Sequence, residues 1–200
     1  MQSVSEPLPL LLRYVESKGH AVFTRGLYNL NIVGIRTPDD SANTFNDMLA
    51  VAYKDERGWV VRSWAWTTDP GLYWRENPMR VQGTAILCPG QYRGAYKLGR
   101  HRGQYEALVQ TGGRVTVWRD ANRDATLNMD PATAEDGYYG INIHRASTRG
   151  STQGDRWSAG CQVAGDPTDF ESFMGLCRRS AALYGPRFTY TLVEGPPNGS

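Results

Sequence analysis

A histidine and a cysteine lie close together in the chain, each beside a short apolar stretch. His144 ends the segment 139–144, and Cys161 follows Gly160 seventeen positions later. The residues between them, 146–156, are rich in Ser, Thr, Gly and Arg. This composition predicts a loop that folds back and brings two strand ends side by side. We therefore expect His144 and Cys161 to be neighbours in space.

These residue types are suited to nucleophilic catalysis. A thiol with a pKa of ~8.5 is mostly protonated at neutral pH, so a cysteine nucleophile needs a neighbouring base, and His144 is the natural one. Gly160 permits a tight turn in which the amides of Gly160 and Cys161 point at a developing oxyanion. The alternative is structural: an isolated cysteine is most often a small buried apolar residue.

The segment 137–163 resembles the L,D-transpeptidase catalytic domain, the YkuD-like family. The matching pieces are Tyr139-Gly140-Ile141-Asn142-Ile143-His144 and Ser158-Ala159-Gly160-Cys161. The resemblance implies a mainly β fold of two packed mixed sheets, a β-sandwich, with a few short helices. It also implies an acyl-enzyme formed on the peptide stems of peptidoglycan, followed by transfer to water or to an amine.

The resemblance also implies a role for each matching residue. Cys161 is similar to the nucleophile and His144 to its base, while the backbone carbonyl of Arg145 orients the imidazole. Gly160 and Cys161 supply oxyanion amides, and Ser158 occupies the hydroxyl position of the motif.

Two positions, Ala159 and Val163, depart from the family pattern, in which polar residues are common. Because the second position helps to bind substrate carboxylates, another cation is expected to substitute, and Arg145, Arg149 and Arg156 are the candidates. The substrate-binding residues that we predict are Tyr139, Arg149, Arg156, Trp157 and His101.

The turn 98–105 contains three cations and a tyrosine, among them His101. It predicts either a solvated basic turn or an anion site lining the groove. Some of the six tryptophans are expected to line a cleft and the others to pack in the core.

Short apolar segments separated by turn clusters predict a β-rich chain. The predicted strands are 28–35, 48–53, 59–67, 83–87, 92–98, 106–110, 114–118 and 187–193. Segments 106–110 and 114–118 are expected to form a hairpin in which Gly112 and Gly113 adopt positive φ.

Two helices are predicted. Residues 7–18 form a short amphipathic helix with Gly19 after it, and Asp166-Pro167 starts a second helix that places Phe170, Phe173, Met174 and Cys177 on one face. Cys177 is then a core residue. The tail 195–200 is expected to be mobile, and residues 1–200 to form a single domain.

The composition argues against several classes of function. A balance of 22 basic and 20 acidic side chains gives a net charge of +2, which does not favour a nucleic-acid partner. The apolar stretch 8–12 is too short to span a membrane and lacks a basic leader, so neither an anchor nor a signal peptide is predicted. Three cysteines without close spacing indicate a reducing compartment for folding.

Metal and cofactor binding have little support. Three histidines without CxxC or HExxH spacing do not predict zinc, and no cofactor is expected. Residues 120–124 are similar to the first half of a calcium loop, but Ala125 and Pro131 stand where the rule requires Gly and Glu. An Asx-rich turn is the preferred interpretation, with calcium as the alternative.

The sequence thus predicts a cysteine acyl-transfer enzyme that acts on peptidoglycan stem peptides, with hydrolysis favoured over transpeptidation. The lack of a recognisable export signal favours an enzyme made in the cytoplasm that reaches the cell wall or periplasm by another route, such as phage delivery. Two alternatives stay open: a non-catalytic virion or wall-binding module, and a cysteine protease with protein substrates. The sequence does not determine the oligomeric state.

Overall fold

The computed structural model describes residues 6–38, 44–124, 126–153 and 156–195. The predicted mobile tail lies, apart from residue 195, outside the described residues. The strands are β1 Asn31–Arg36, β2 Asp47–Asp55, β3 Gly58–Thr67, β4 Thr84–Leu87, β5 Gly90–His101, β6 Tyr105–Val109, β7 Val115–Asp120, β8 Glu135–Gly137, β9 Ile143–Arg145, β10 Gln162–Ala164 and β11 Arg187–Glu194. The helices are α1 Leu10–Ser17, α2 Leu72–Glu76 and α3 Pro167–Tyr184, and a 3-10 turn covers Pro131–Thr133.

Eight of these strands close into a barrel in the order β1-β11-β5-β6-β9-β10-β3-β2. The pairs β1–β11 and β9–β10 are parallel and the other pairs in the barrel are antiparallel. A second sheet, in the order β4-β7-β8, is antiparallel throughout. The prediction of a mainly β fold is confirmed. The larger sheet closes into a barrel, and the smaller sheet is antiparallel rather than mixed.

The predicted hairpin between residues 106–110 and 114–118 is wrong. Strand β6 pairs with β5 and β9 in the barrel, whereas β7 pairs with β4 and β8 in the small sheet. Gly112 and Gly113 are also not among the glycines with positive φ. Gly112 instead lies so close to the neighbouring backbone that a Cβ there would be 2.1 Å from the Gly94 carbonyl oxygen. The glycine permits a close approach where the chain leaves one sheet for the other.

Helix α3 follows the sequence pattern closely. The Asp166 carboxylate accepts hydrogen bonds from the N–H groups of Thr168 and Asp169, and Pro167 occupies the first turn. The predicted apolar face is buried in the main core, where Phe170 and Phe173 contact Trp66. Cys177 is fully buried on that face, as predicted. At 18 residues this helix is longer than the short helices expected of the fold.

Helix α1 is shorter than predicted. It begins at Leu10 because Pro9 has extended backbone angles and serves as the N-cap, and Gly19 follows its end with φ +80°. Among the described residues, no helix has the length and apolar character needed to cross a membrane.

A buried charge network joins the barrel to the small sheet. Arg36, at the end of β1, is 1% exposed and donates to the carbonyl oxygens of Leu87 in β4 and Thr68 after β3. It also pairs with the Asp69 carboxylate at 2.9 Å. Asp47 in turn accepts hydrogen bonds from the N–H and hydroxyl of Thr68. Because buried charges are stable only when they are paired and hydrogen-bonded, this network fixes the segment 67–69 against both sheets.

We expect Gly112→Ala to destabilise the protein by roughly 2–3 kcal/mol, because its Cβ would overlap backbone rather than a movable side chain. The matched control is Gly175→Ala, at an exposed position in α3 with no atom closer than 4.0 Å to the added Cβ. That change should stabilise the helix by about 0.5–1 kcal/mol. Urea unfolding measures both values, and equal stabilities for the two variants would contradict the close approach at Gly112.

Candidate functional site

The parallel pair β9–β10 brings the two predicted catalytic residues together. In this pair His144 lies opposite Val163, and Cys161 stands two positions before Val163. Since side chains alternate along a strand, the side chains of Cys161 and His144 project from the same face of the sheet. The Gln162 side chain between them points the other way, towards the Tyr190 hydroxyl and the Thr68 carbonyl. The register therefore places Cys161 and His144 on adjacent strand ends, while no contact between their side chains is among the described contacts.

The imidazole of His144 is held by a backbone carbonyl. Its Nδ1 lies 2.8 Å from the carbonyl oxygen of Arg145, which is the contact that the family resemblance implied. The hydroxyl of Tyr105 donates to the same oxygen at 3.0 Å and lies 3.3 Å from Nδ1. Because a carbonyl only accepts, the proton of the neutral ring is assigned to Nδ1, and Nε2 carries the lone pair.

The Nε2 atom of His144 is buried and has no hydrogen-bond partner among the described residues. Buried polar atoms are usually satisfied, and an unsatisfied one is commonly found where a function needs it. Here the unsatisfied atom is the basic nitrogen of the ring, on the face of the sheet shared with Cys161. The arrangement leaves His144 able to accept a proton.

A second histidine lies directly against the first. The rings of His101 and His144 are stacked, with centroids 3.9 Å apart and an interplanar angle of 23°. The side-chain amide nitrogen of Asn142 lies 3.1 Å from Nδ1 of His101. Because an amide nitrogen only donates, Nδ1 of His101 is assigned as the acceptor. Burial, followed by the neighbouring His101, lowers the pKa of His144 to about 3. Burial, followed by the charge of Arg102, lowers the pKa of His101 to about 4. Both rings are therefore neutral at physiological pH, the state that a general base requires.

Cys161 is partly exposed as a residue, and its thiol donates to the carbonyl oxygen of Gly140 at 3.4 Å. Burial raises the pKa of this thiol to about 11, although a hydrogen bond from the backbone N–H of Asn142 acts in the opposite direction. The resting sulfur is therefore protonated. Among the described contacts there is no hydrogen bond between the sulfur and the His144 ring. The predicted contact with His144 therefore requires the thiol to leave Gly140, for which rotation about its Cα–Cβ bond between staggered positions is the simplest route.

The turn that carries Cys161 is closed by Ser158. The buried Ser158 hydroxyl donates to the Cys161 carbonyl at 2.8 Å and accepts from the Gly160 N–H at 3.3 Å. Gly160 has a φ of +108°, and a Cβ at this position would be 2.3 Å from the Ala85 carbonyl oxygen. The turn therefore requires glycine for both its backbone angle and its close contact with β4.

The hydrogen bond to Ser158 changes the expectation for the oxyanion site. The Gly160 N–H, predicted to be one of two donors, is already engaged. Within the described residues no acceptor takes the N–H of Cys161. The Cys161 amide is thus the oxyanion donor that this turn leaves available.

A cleft of about 310 Å³ opens beside His144 and is rich in cations. Four of the predicted residues line it with His144, namely His101, Arg145, Arg156 and Trp157. Arg102, from the turn after β5, adds a third guanidinium, and no carboxylate is among the lining residues. The complete lining is His101, Arg102, Gln104, Tyr105, His144, Arg145, Ala146, Ser147, Thr148, Arg156 and Trp157. A cavity with this charge suits a ligand that bears a carboxylate.

Two predicted substrate residues lie elsewhere. The Tyr139 ring is flanked by Arg80 and Arg119 and lines a separate small pocket that also contains Ala159. Arg149 lies in another groove, beside Asp166 and Asp169. Both residues therefore lie outside the cleft beside His144, and their role in substrate binding stays a prediction.

The cations of the basic turn 98–105 are divided between the turn itself and the cleft. Arg100 folds back onto its own turn and donates to the carbonyl oxygens of Gly103 and Gln104. His101 and Arg102 instead line the cleft. The tryptophans divide similarly, since Trp66 is fully buried in the core and Trp157 is 42% exposed at the cleft.

Residues 120–124 form Asx turns around a buried ion pair. Asp120 is 2% exposed and lies 3.3 Å from the Arg75 guanidinium. The Asp124 carboxylate accepts from the Thr126 N–H, and Asn122 accepts from the Asp124 N–H. Among the described residues, no group of three or more His, Cys, Asp or Glu side chains is arranged to hold a metal ion.

Three residues of the site were not singled out from the sequence. Tyr105 binds the carbonyl that orients His144, Asn142 connects the sulfur to His101, and Gln110 holds the loop before β9. Each of these residues acts through a partner that is distant in sequence, so the spacing of residues along the chain did not predict their roles. A glutamine at the end of an otherwise apolar strand was the one available signal for Gln110.

Comparison of the chain with protein-family models, with curated proteins and with solved structures gives no match.

The stacked histidines make stability depend on pH. Their pKa values are lower in the folded protein than the unfolded value of about 6.5, so the unfolded chain binds protons first as the pH falls. Their contribution to stability is present above pH 6.5 and is lost progressively between pH 6.5 and the folded values of about 4 and 3. The slope is up to about 1.4 kcal/mol per pH unit for each ring.

We expect His101→Asn, which keeps an acceptor for Asn142 but does not titrate, to flatten this dependence. Urea unfolding at pH 8, 6, 5 and 4 should show the wild type losing stability faster than the variant below pH 6.5. Parallel curves for the two proteins would contradict neutral burial of His101.

Proposed function

We propose that this protein is a cysteine acyl-transfer enzyme that acts on the peptide stems of peptidoglycan, with water as the favoured acceptor. The observation that carries the proposal is the fixed orientation of His144. Its Nδ1 is bound to the Arg145 carbonyl, and its basic Nε2 stays unpartnered on the strand face shared with Cys161. That arrangement serves proton transfer from a thiol better than it serves packing.

In the proposed reaction, the Cys161 thiol transfers its proton to Nε2 of His144 as the sulfur attacks a peptide carbonyl carbon. A C–S bond forms, and the N–H of Cys161 donates to the oxyanion. The imidazolium then returns the proton to the leaving nitrogen as the C–N bond breaks. Water attacks the resulting thioester, its proton passes to His144 and then to the departing sulfur, and the free thiol and a carboxylic acid are regenerated.

The depressed pKa of His144 keeps the ring neutral and free to accept a proton, but it also makes the ring a weak base, so the cycle needs the imidazolium to be stabilised as it forms. The ring starts as a base, and its protonated form is expected only transiently, because burial disfavours the charged ring. The hydrogen bond from Nδ1 to the Arg145 carbonyl offsets part of that cost. The raised pKa of Cys161 means that the thiolate forms only as the proton is removed.

The substrate class rests on the resemblance of residues 137–163 to the YkuD-like family, and the charge of the cleft supports it. Arg102, Arg145 and Arg156 line a cleft without acidic residues, beside the proposed base. Peptidoglycan stems carry free carboxylates, for which guanidinium groups are suitable partners. On this proposal the site of action is the bacterial cell wall.

A non-catalytic wall-binding module is the second candidate. The contact between the Cys161 thiol and the Gly140 carbonyl favours it, since the resting sulfur makes no hydrogen bond to His144. The two proposals differ in whether any bond in the wall is broken.

We expect the wild-type protein to release muropeptides from purified sacculi, and Cys161→Ala to release none. His144→Ala should lower the rate by a factor of about 10² or more, because a general base typically contributes that much. The measurement is chromatography with mass spectrometry of the soluble products, which also distinguishes hydrolysis from transfer to an amine.

The matched control is Cys88→Ala, which changes a buried thiol outside the cleft and should leave release unchanged. Sacculus binding without release by the wild type would favour the binding module. Cleavage of casein without release of muropeptides would favour a protease with protein substrates.

A further inference from the structure

Gln110 lies directly after β6, is 2% exposed, and its side chain makes an unusually complete set of hydrogen bonds. Its oxygen accepts from three consecutive backbone N–H groups, those of Tyr139, Gly140 and Ile141, at 2.9, 2.9 and 3.3 Å. Its Nε2 donates to the carbonyl oxygens of Gly113 and Gly137 at 3.0 and 2.9 Å. One buried carboxamide therefore fixes both ends of the segment 137–141.

The same segment supplies the surroundings of the Cys161 sulfur. The Gly140 carbonyl accepts the thiol proton at 3.4 Å, and the next residue but one, Asn142, directs its backbone N–H at the sulfur. Gly140 itself is exposed and has a φ of +70°. A glycine with open space around it does not hold its own conformation, so the loop depends on an external support.

A second contact extends this support to the histidines. The backbone N–H of Gln110 donates to the Asn142 side-chain oxygen at 2.9 Å, and the Asn142 amide nitrogen binds His101, which stacks on His144. Residue 110 is thus linked to the sulfur through the loop and to the imidazole through Asn142. These contacts span the two halves of the proposed catalytic pair.

We propose that Gln110 is a positioning residue that sets the reactivity of Cys161 by holding the loop 139–141 against the sulfur. The inference builds on the proposed function, in which Cys161 is the nucleophile, but it is a statement about the thiol itself and can be measured without a substrate. Without the glutamine oxygen, three N–H groups lose their common acceptor. The Asn142 N–H then no longer stays aligned with the sulfur.

The test is the rate of Cys161 alkylation by iodoacetamide between pH 7 and pH 12, followed by mass spectrometry of the intact protein and of its peptides. Gln110→Met keeps the length of the side chain but removes its acceptor and donors. We expect it to slow alkylation at pH 7 at least tenfold and to move the alkylation midpoint to higher pH. Gln110→Glu keeps an acceptor for the three N–H groups but turns a carboxylate oxygen towards the Gly113 and Gly137 carbonyls, so its rate should lie between those of Gln110→Met and the wild type.

Gln91→Met is the matched control. The Gln91 carboxamide also binds backbone, namely the N–H and the carbonyl of Ala21, but Gln91 lies at the start of β5 and outside the cleft. Urea unfolding of each variant gives the loss of stability against which its alkylation rate is compared. The proposal predicts a changed rate and midpoint for Gln110→Met and unchanged values for Gln91→Met at a similar loss of stability.

An unchanged or faster rate in Gln110→Met would overturn the proposal, and so would an equal slowing in Gln91→Met. If Gln110→Met does not fold, Gln110→Glu decides, since an unchanged rate in that folded variant, which lacks the two donors to Gly113 and Gly137, would also contradict the positioning role. Failure of the proposed function has a different signature. In that case neither alkylation nor muropeptide release depends on His144, whatever the result at Gln110.

Discussion

The parallel pairing of β9 with β10 is the constraint on which the rest of the site depends. It places Cys161 and His144 on one face of the barrel wall, and it turns Gln162 to the opposite side, where it bonds to Tyr190. A shift of one residue in the register would exchange these faces and put the thiol and the imidazole on opposite sides of the sheet. The register therefore defines both the core and the proposed chemistry.

Several buried polar contacts keep that register in place. Ser158 closes the turn before β10, and the Gly71 N–H binds the Ser158 carbonyl at 2.8 Å. The segment leading to Gly71 is in turn held by Arg36 and Asp47. Because unsatisfied buried groups are costly, each contact makes alternative positions of the cysteine turn unfavourable. Rigidity at the site thus comes from polar networks that join the two sheets.

The electrostatics of the site separate two roles. Burial keeps His144 and His101 neutral, with a further contribution from His101 to His144 and from Arg102 to His101. Arg102, Arg145 and Arg156 give the adjoining cleft a positive charge. The neutral base can accept a proton while the cationic cleft attracts a carboxylate, so the two functions do not oppose one another. The raised pKa of the Cys161 thiol fits this division, because the proton stays on sulfur until the base removes it.

The sequence by itself determined the longer strands and the face of α3, and it pointed to the pair Cys161 and His144, because these inferences depend on local periodicity and on residue chemistry within a short window. The tertiary structure alone decided that β6 and β7 belong to different sheets, and that Tyr139 and Arg149 lie outside the cleft that Arg102 joins. It also decided the parts played by Gln110, Asn142 and Tyr105. The physical reason is the distance along the chain between the residues involved. Strand pairing, close backbone approaches such as that at Gly112, and buried hydrogen bonds all join residues that are far apart in sequence, so no local pattern predicts them.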